Sequence, residues 1–300
     1  MFLKLLWRIF SNRFSSMRNI HTYPEINPFN DKTDGRVIGW WSGGVASAVA
    51  CKLAIDKYKD AVELVFCDTN LEHPDTYRFM SDFEKTLGVK IKTIKSERFN
   101  EPEEVWRKYK GLNFAHGAPC SMTMKKEPRI KYQKLNEDFA QIFGFDYCKK
   151  EERRATSMLV NNPDLNPIFP LIIEKYDRQK IFDTIKHLGL IHPITYNHFL
   201  NNNCIGDFAS PKGGCIQGGV GYWKKIKDLF PHKYEYMANL EHEISRSKGS
   251  PVTICRDKNG NKIFLKKNPD FPEVETVDIV KGRTPITMFE CNGFCSTQSV

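Results

Sequence analysis

The sequence predicts an α/β fold: a mainly parallel, twisted sheet with helices on both faces, followed by a helical and loop-rich C-terminal appendage. Three observations predict it. Short apolar runs alternate with helix-length segments between residues 36 and 188. A Ser-Gly-Gly turn joins the first run to the first helix. Beyond His192 the chain becomes rich in Asn and Gly and the alternation stops. Strands separated by helices need crossover connections, which place the strands side by side and parallel.

Taken in order, residues 36–41 read as a strand, and 45–58 as a helix with a small, apolar face. Residues 61–66 form a second strand through Val62, Leu64 and Val65. The helix at 74–87 opens on Pro74, where the missing N–H is harmless. Residues 89–94 are the third strand, and 101–108 and 128–135 are helical. A fourth strand is expected at 139–145, then a helix at 149–159, a strand or extended segment at 168–173, and a helix at 178–188. In the appendage, 222–247 is helical with a break at Phe230-Pro231, and 254–265 alternates around Asn259-Gly260, a hairpin signal. From Lys266 the chain reads as loop. There is no internal repeat. The expected division is a basic extension at 1–34, an α/β domain at 35–190 and an appendage at 191–300 packed on it.

Composition narrows the class. With 40% hydrophobic and 27% charged residues the chain is an ordinary globular one, neither collagen-like, disordered nor a membrane bundle. No apolar run approaches the roughly 20 residues of a spanning helix. A formal charge of +9 favours anionic partners such as nucleotides or nucleic acid. Part of that excess lies in residues 1–24, where Lys4, Arg8, Arg13 and Arg18 occur with no acid. Such a segment suits an organelle presequence, a membrane-surface helix or a partner helix. The plainer alternatives are an untargeted extension, or a start read upstream of Met17. Nine cysteines, an odd number without a convincing secretory signal, argue for a reducing compartment, and a cytoplasmic protein is expected. No signal for an oligomeric state is present.

The strongest local signal is strand, then Ser42-Gly43-Gly44-Val45-Ala46-Ser47, then helix. Two glycines let the backbone turn sharply and approach a ligand. The helix start presents unpaired N–H groups and the positive end of its dipole. Ser42 and Ser47 add hydroxyls, and the whole makes a phosphate site. Read without function, it is a tight strand-to-helix turn.

The segment resembles the PP-loop of the adenine nucleotide α-hydrolase superfamily, a Rossmann-like, HUP-type fold whose usual form is Ser-Gly-Gly-x-Asp-Ser. Ala46 stands where that Asp is expected. Three further segments are similar to the phosphoadenosine phosphosulfate (PAPS) reductase branch. Asp68-Thr69-Asn70-Leu71-Glu72-His73-Pro74-Asp75-Thr76 follows the second strand and resembles the family's Asp-Thr-Gly…Pro-Glu-Thr. Cys120 precedes Lys125 and Lys126, either of which the resemblance directs to a nucleotide phosphate. Glu151-Glu152-Arg153-Arg154 resembles the stretch where one arginine enters the nucleotide site. At a strand end, Asp68 and Thr69 are expected at the nucleotide-binding crevice, with Asp68 a catalytic candidate; the plainer roles are turn capping for Asp68, capping or packing for His73, and solvated surface for the lysines.

The resemblance also reaches the cysteines. Asn203-Cys204-Ile205-Gly206 and the later Gly214-Cys215…Gly221-Tyr222-Trp223 look like a Cys-x-x-Cys element of PAPS reductase-like proteins. Asp207 occupies the second position and Cys215 arrives after an insertion. Glu290-Cys291-Asn292-Gly293-Phe294-Cys295 resembles the group's terminal Glu-Cys-x-x-x-Cys. A subset of Cys120, Cys204, Cys215, Cys291 and Cys295 is thereby expected to hold Zn²⁺ or an iron–sulfur cluster. Separate, partly buried cysteines are the alternative, and Cys51, Cys67 and Cys255 read as packing residues.

Three functions follow. The first is an adenylating ATP pyrophosphatase with Mg²⁺ bridging the phosphates, in which positioning and charge stabilisation do most of the catalysis. The second is sulfonucleotide reduction with Cys291 as nucleophile. The third is a nucleic-acid-modification component, suggested by lysine-rich segments such as Lys224-Lys225 and Lys266-Lys267.

Overall fold

In the computed structural model five parallel strands lie in the order β3-β2-β1-β4-β5. They are β1 (Val37–Trp40), β2 (Val62–Asp68), β3 (Ile91–Lys95), β4 (Ala140–Ile142) and β5 (Pro167–Ile168). The structure describes residues 35–114, 117–135, 139–162, 165–198 and 203–281. All of these fall in one compact unit of the chain.

β1 is the central strand, and all four of its residues are buried. Its register pairs Val37 with Val62 on one side and with Ala140 on the other. The helix after it, α1 (Val45–Tyr58), buries Val45, Ala46, Ser47, Ala48, Val49, Ala50, Cys51 and Ala54. That run of small residues lets α1 lie close on the sheet. Gly39 shows how close: a Cβ there would stand 2.6 Å from Leu64 Cδ2 and 3.1 Å from Cys51 Sγ. Helix α2 (Pro74–Leu87) packs Phe79 and Phe83 against Trp41, which follows β1.

The chain continues through α3 (Pro102–Tyr109), a π-helical turn at Ser121–Lys126 and α4 (Glu127–Lys134). Tyr132 of α4 meets the ring of Trp40 edge-on. After β4 come α5 (Lys149–Asn161), the short α6 (Pro170–Ile173) and α7 (Arg178–His187), which lies beside α1.

Two expectations change here. Residues 168–173 are not one extended segment: pairing stops at Ile168, and Pro170 opens a single helical turn, as proline at N1 favours. The fourth strand is also shorter than 139–145, because the chain leaves the sheet at Gly144 to lie on the start of α1.

Helices α8 (Val220–Leu229) and α9 (Pro231–Lys248) meet at the expected break, and β6 (Cys255–Arg256) pairs antiparallel with β7 (Lys262–Ile263). Their core is separate from the one shared by β1, α4 and α5. It is built on Trp223, Tyr234 and Phe230, but it also takes in Trp106 and Leu112 from the α3 region. Glu241, wholly buried, accepts from the N–H groups of Ile254 and Leu265 at 2.7 Å each and so ties both arms of the hairpin to α9. Among the described residues no helix is long and apolar enough to cross a membrane. Residues 1–24 lie outside the described residues.

Candidate functional site

At the carboxyl end of β1 the chain turns through Gly43, whose φ of +88° suits glycine, and enters α1 with Gly44 as an extended N-cap. Ser47 closes the turn from inside. Its Oγ accepts from the Ser42 N–H at 3.0 Å and from the Ser42 hydroxyl at 2.9 Å, and donates to the Gly44 carbonyl at 2.9 Å. The Val45 N–H donates to the Tyr196 hydroxyl at 3.1 Å. The turn is therefore wound by its own serines, with Ser47 buried and Ser42 half-buried.

Two supports were not read from the sequence. Tyr196 arrives from 151 residues away, so no local pattern announces it. At Gly144 a Cβ would stand 2.5 Å from Ser47 Cα and 2.6 Å from Ser47 N, so only glycine lets the loop after β4 pass the turn. The sole hint was a glycine between two phenylalanines within the expected fourth strand.

The carboxyl end of β2 carries Asp68. Its Oδ1 accepts from the Asn70 N–H at 2.8 Å and from the Tyr77 hydroxyl at 2.9 Å, and its Oδ2 lies 3.1 Å from Lys95 Nζ. Asp68 thus caps the turn after β2. Burial, with the Asp68 charge next, pushes the Tyr77 phenol far up, so its hydroxyl keeps its proton.

Thr69, the next residue, donates to Glu72 Oε1 at 3.0 Å. That same oxygen receives Lys125 Nζ at 3.4 Å and Cys204 Sγ at 3.5 Å. Glu72, with a side chain 0% exposed, joins three residues that the sequence had singled out separately. It sits three residues after Thr69 in the matched segment, and that spacing was the only signal for it. Lys126 takes no part in this pairing.

The two arginines divide. Arg153 is exposed. Arg154 is drawn in: it pairs with Glu151 at 2.6 Å and its guanidinium lies 4.6 Å above the Phe145 ring, in the loop after β4. His73 caps α2, its Nδ1 accepting from the Asp75 N–H at 3.0 Å, and its ring lies against Phe208. Burial lowers the pKa of His73, which suits that neutral acceptor role.

Cys120, Cys204 and Cys215 line one small cavity of about 30 Å³, together with Thr69, Lys125 and Trp106. The insertion between Cys204 and Cys215 doubles back on itself. The Gly214 N–H donates to the Cys204 carbonyl at 3.2 Å, and the Cys215 N–H donates to the Tyr222 hydroxyl at 3.1 Å. Gly213 allows the return: its φ is +117°, and a Cβ there would fall 1.9 Å from the Ile205 carbonyl oxygen. Buried Lys233 holds the loop from beneath, donating to the carbonyls of Ser210 and Lys212 at 2.6 Å each. Burial brings its pKa down to about 8.

Among the described residues no group of three or more His, Cys, Asp or Glu side chains is disposed to hold a metal ion. Cys291 and Cys295 lie outside the described residues. Cys51 and Cys255 are buried packing residues and Cys67 is half-buried.

A parallel sheet whose central strand delivers a serine–glycine turn to a helix N-terminus defines a class of α/β proteins suited to anionic ligands. Comparison with known proteins makes the class particular. The phosphoadenosine phosphosulfate reductase domain matches residues 36–211, more than half of the chain, and the chain belongs to that family.

Two uncharacterized proteins of Methanocaldococcus jannaschii are related. One is 31% identical over 217 residues, 68% of this chain and 41% of that protein. The other is 29% identical over 112 residues, 37% of this chain and 25% of that protein. The chain thus spans less than half the length of either relative. Among solved structures, the phosphate complex of phosphoadenylyl-sulfate (PAPS) reductase from Candida auris aligns with a TM-score of 0.42 at 16% identity, over 58% of this chain and 85% of that one.

Proposed function

We propose that this chain is a cytoplasmic enzyme that binds an adenine nucleotide, ATP or a PAPS-like molecule, at residues 42–47 and carries out ATP pyrophosphatase chemistry on it, adenylating an acceptor. The observation that carries the reading is the pre-wound turn: Ser42 and Ser47 bonded to each other at the N-terminus of α1. A turn held by its own side chains needs little reorganisation when phosphates arrive, and fixed dipoles are the main means of stabilising charge in such a reaction.

In the reaction, the acceptor's nucleophile bonds to the α-phosphorus as the α–β bridging P–O bond breaks and pyrophosphate leaves. Lys125 and Arg154 are the cations assigned to the phosphates, Lys125 exchanging its Glu72 partner for them. Asp68 and Thr69 border the crevice. Mg²⁺ would neutralise the phosphates when bound; Ala46 offers it no carboxylate. Incubation with ATP, Mg²⁺ and candidate acceptors should release pyrophosphate. Nucleotide binding with no release under any of them contradicts the adenylation step.

A second reading, sulfonucleotide reduction with Cys291 as nucleophile, is favoured by the family and by three cysteines lining one cavity. Thiols are the donors that Zn²⁺ or an iron–sulfur cluster prefers. The described residues do not make up a ligand set, and no step is routed through a metal. Metal analysis and the absorption spectrum of anaerobically purified protein test that part. Sulfite formation at the normal rate by Cys291→Ser excludes Cys291 as nucleophile.

A further inference from the structure

A groove of about 380 Å³ runs between the carboxyl end of β3 and α4. This volume falls within the roughly 300–1,000 Å³ of small-molecule sites. Ile94, Pro128, Tyr132 and Leu135 form its apolar floor and end. Leu135 is 76% exposed, the most exposed large apolar side chain among the described residues. Lys95, Arg98 and Lys131 stand on the rim.

Two ion pairs cross the mouth of the groove, from the loop after β3 to α4. Arg98 pairs with Glu127 at 2.5 Å, and Lys131 pairs with Glu97. The side chains in these pairs are all between 48% and 73% exposed. Pairs so open to water contribute little to stability, so a ligand anion that bridges both cations can displace the two glutamates at small cost. One wall of the groove is shared with the site already described. In the turn Ser121–Lys126, Thr123 faces the groove while Ser121 and Lys125 line the cysteine cavity. Lys95 also bridges the rim to Asp68 at the end of β2. The groove therefore opens at the same carboxyl-end edge of the sheet as the turn at residues 42–47, with β2 between them.

We propose that this groove is the acceptor subsite and takes a nucleotide unit with an unpaired base. The base lies on the apolar floor and the phosphate bridges Arg98 and Lys131. An apolar floor with three cations on its rim, two of them held by the exposed carboxylates Glu97 and Glu127, suits a flat, weakly hydrated group that carries an anion, and in a nucleic acid only an unpaired base offers its face to such a floor. The assignment rests on the adenylation reading, in which the acceptor must sit next to the bound nucleotide. The unit comes either free, as a mononucleotide, or within single-stranded RNA or DNA.

The test uses the full chain with Mg²⁺ and without ATP, so that no second nucleotide competes for the groove. Binding of a fluorescent single-stranded oligonucleotide is followed by anisotropy over a range of salt. Cytidine monophosphate is the competitor. Arg98→Glu/Lys131→Glu should bind the oligonucleotide at least about tenfold more weakly. Its log–log salt slope should be shallower by about 0.7, since each phosphate contact to a single strand contributes about that much and one phosphate bridges the two cations. The charge-keeping pair Arg98→Lys/Lys131→Arg should stay within about threefold of the parent.

Competition by cytidine monophosphate marks a free nucleotide as sufficient. Its failure to compete, with the strand still bound, marks the strand as the source. Undiminished binding by the charge-reversed pair overturns the proposal, as does failure of both probes to bind the parent. ATP binding, measured separately on the same variants, keeps the two readings apart. It should persist in the groove variants and fall in Ser42→Ala/Ser47→Ala. If ATP does not bind the parent while the charge-reversed pair still loses the oligonucleotide, the adenylation reading fails and the acceptor role with it, leaving only a nucleotide-binding groove.

Discussion

The serine–glycine turn and the cysteine cavity are built by opposite means. Residues 42–47 close on themselves: two serines five apart bond each other, and the helix follows at once. The cavity brings together Cys120, Cys204 and Cys215 from three distant parts of the chain. It depends on a loop that doubles back through Gly213 and on the long-range contacts of Lys233 and Glu72. A site made by local bonds should tolerate changes elsewhere except where another segment touches it, as Gly144 and Tyr196 do, whereas one made by returns of the chain should fail when a single return is blocked.

The largest effect expected is at Gly213. Alanine there must both adopt a φ near +117° and avoid the Ile205 carbonyl. Gly213→Ala should cost about 3 kcal/mol or more, read by denaturant unfolding, and should expose the cysteines to alkylation. Near-parental stability would show that the insertion is free to move. Gly144→Ala is the matched change on the other side, and should weaken nucleotide binding as well as stability because its Cβ would meet Ser47.

Next is the buried pair at the seam between the two regions. Glu72→Gln leaves Lys125 buried without its carboxylate, at a cost of about 3 kcal/mol, and Glu72→Gln/Lys125→Met should recover most of it. Equal losses in the single and double variants would show that the two side chains are not coupled.

A further effect is read by pH, at the α9–hairpin contact. Burial pushes Glu241 up to about 8, against two backbone N–H groups that favour its carboxylate. Its folded pKa lies above the unfolded value, so the folded state binds more protons between these values. The contribution is full below the unfolded pKa of about 4.3 and is lost as pH rises through about 8. Stability should therefore decline from pH 5 to 8 by no more than the roughly 3.5 kcal/mol that these two pKa values allow, and Glu241→Gln should flatten the decline. An unchanged profile in that variant would assign the dependence to other groups. The smallest change expected is Tyr196→Phe, which removes one hydrogen bond to Val45 and should cost about 1 kcal/mol by thermal unfolding.

The same contrast explains what could be read from the sequence. Helix α2 was legible end to end, because Pro74 opens it and Gly88, at φ +65°, closes it. The strand–turn–helix at residues 37–58 was legible because small residues and two glycines have few other uses. The turn at Pro170–Ile173 was missed, since four apolar residues fit a strand as well as a helix. Glu72, Gly144 and Tyr196 were missed because each acts through a residue distant in the sequence or through a Cβ that is not there. Choosing Arg154 over Arg153 required the ring of Phe145, which only the fold supplies.

The central claim is that residues 42–47 hold the phosphates of an adenine nucleotide. Calorimetric titration of ATP into the parent and into Ser42→Ala/Ser47→Ala, with thermal unfolding to confirm that both are folded, tests it directly. Saturable binding by the parent that weakens by about tenfold or more in the folded double variant is the predicted result. Equal affinity in the two proteins would contradict the claim.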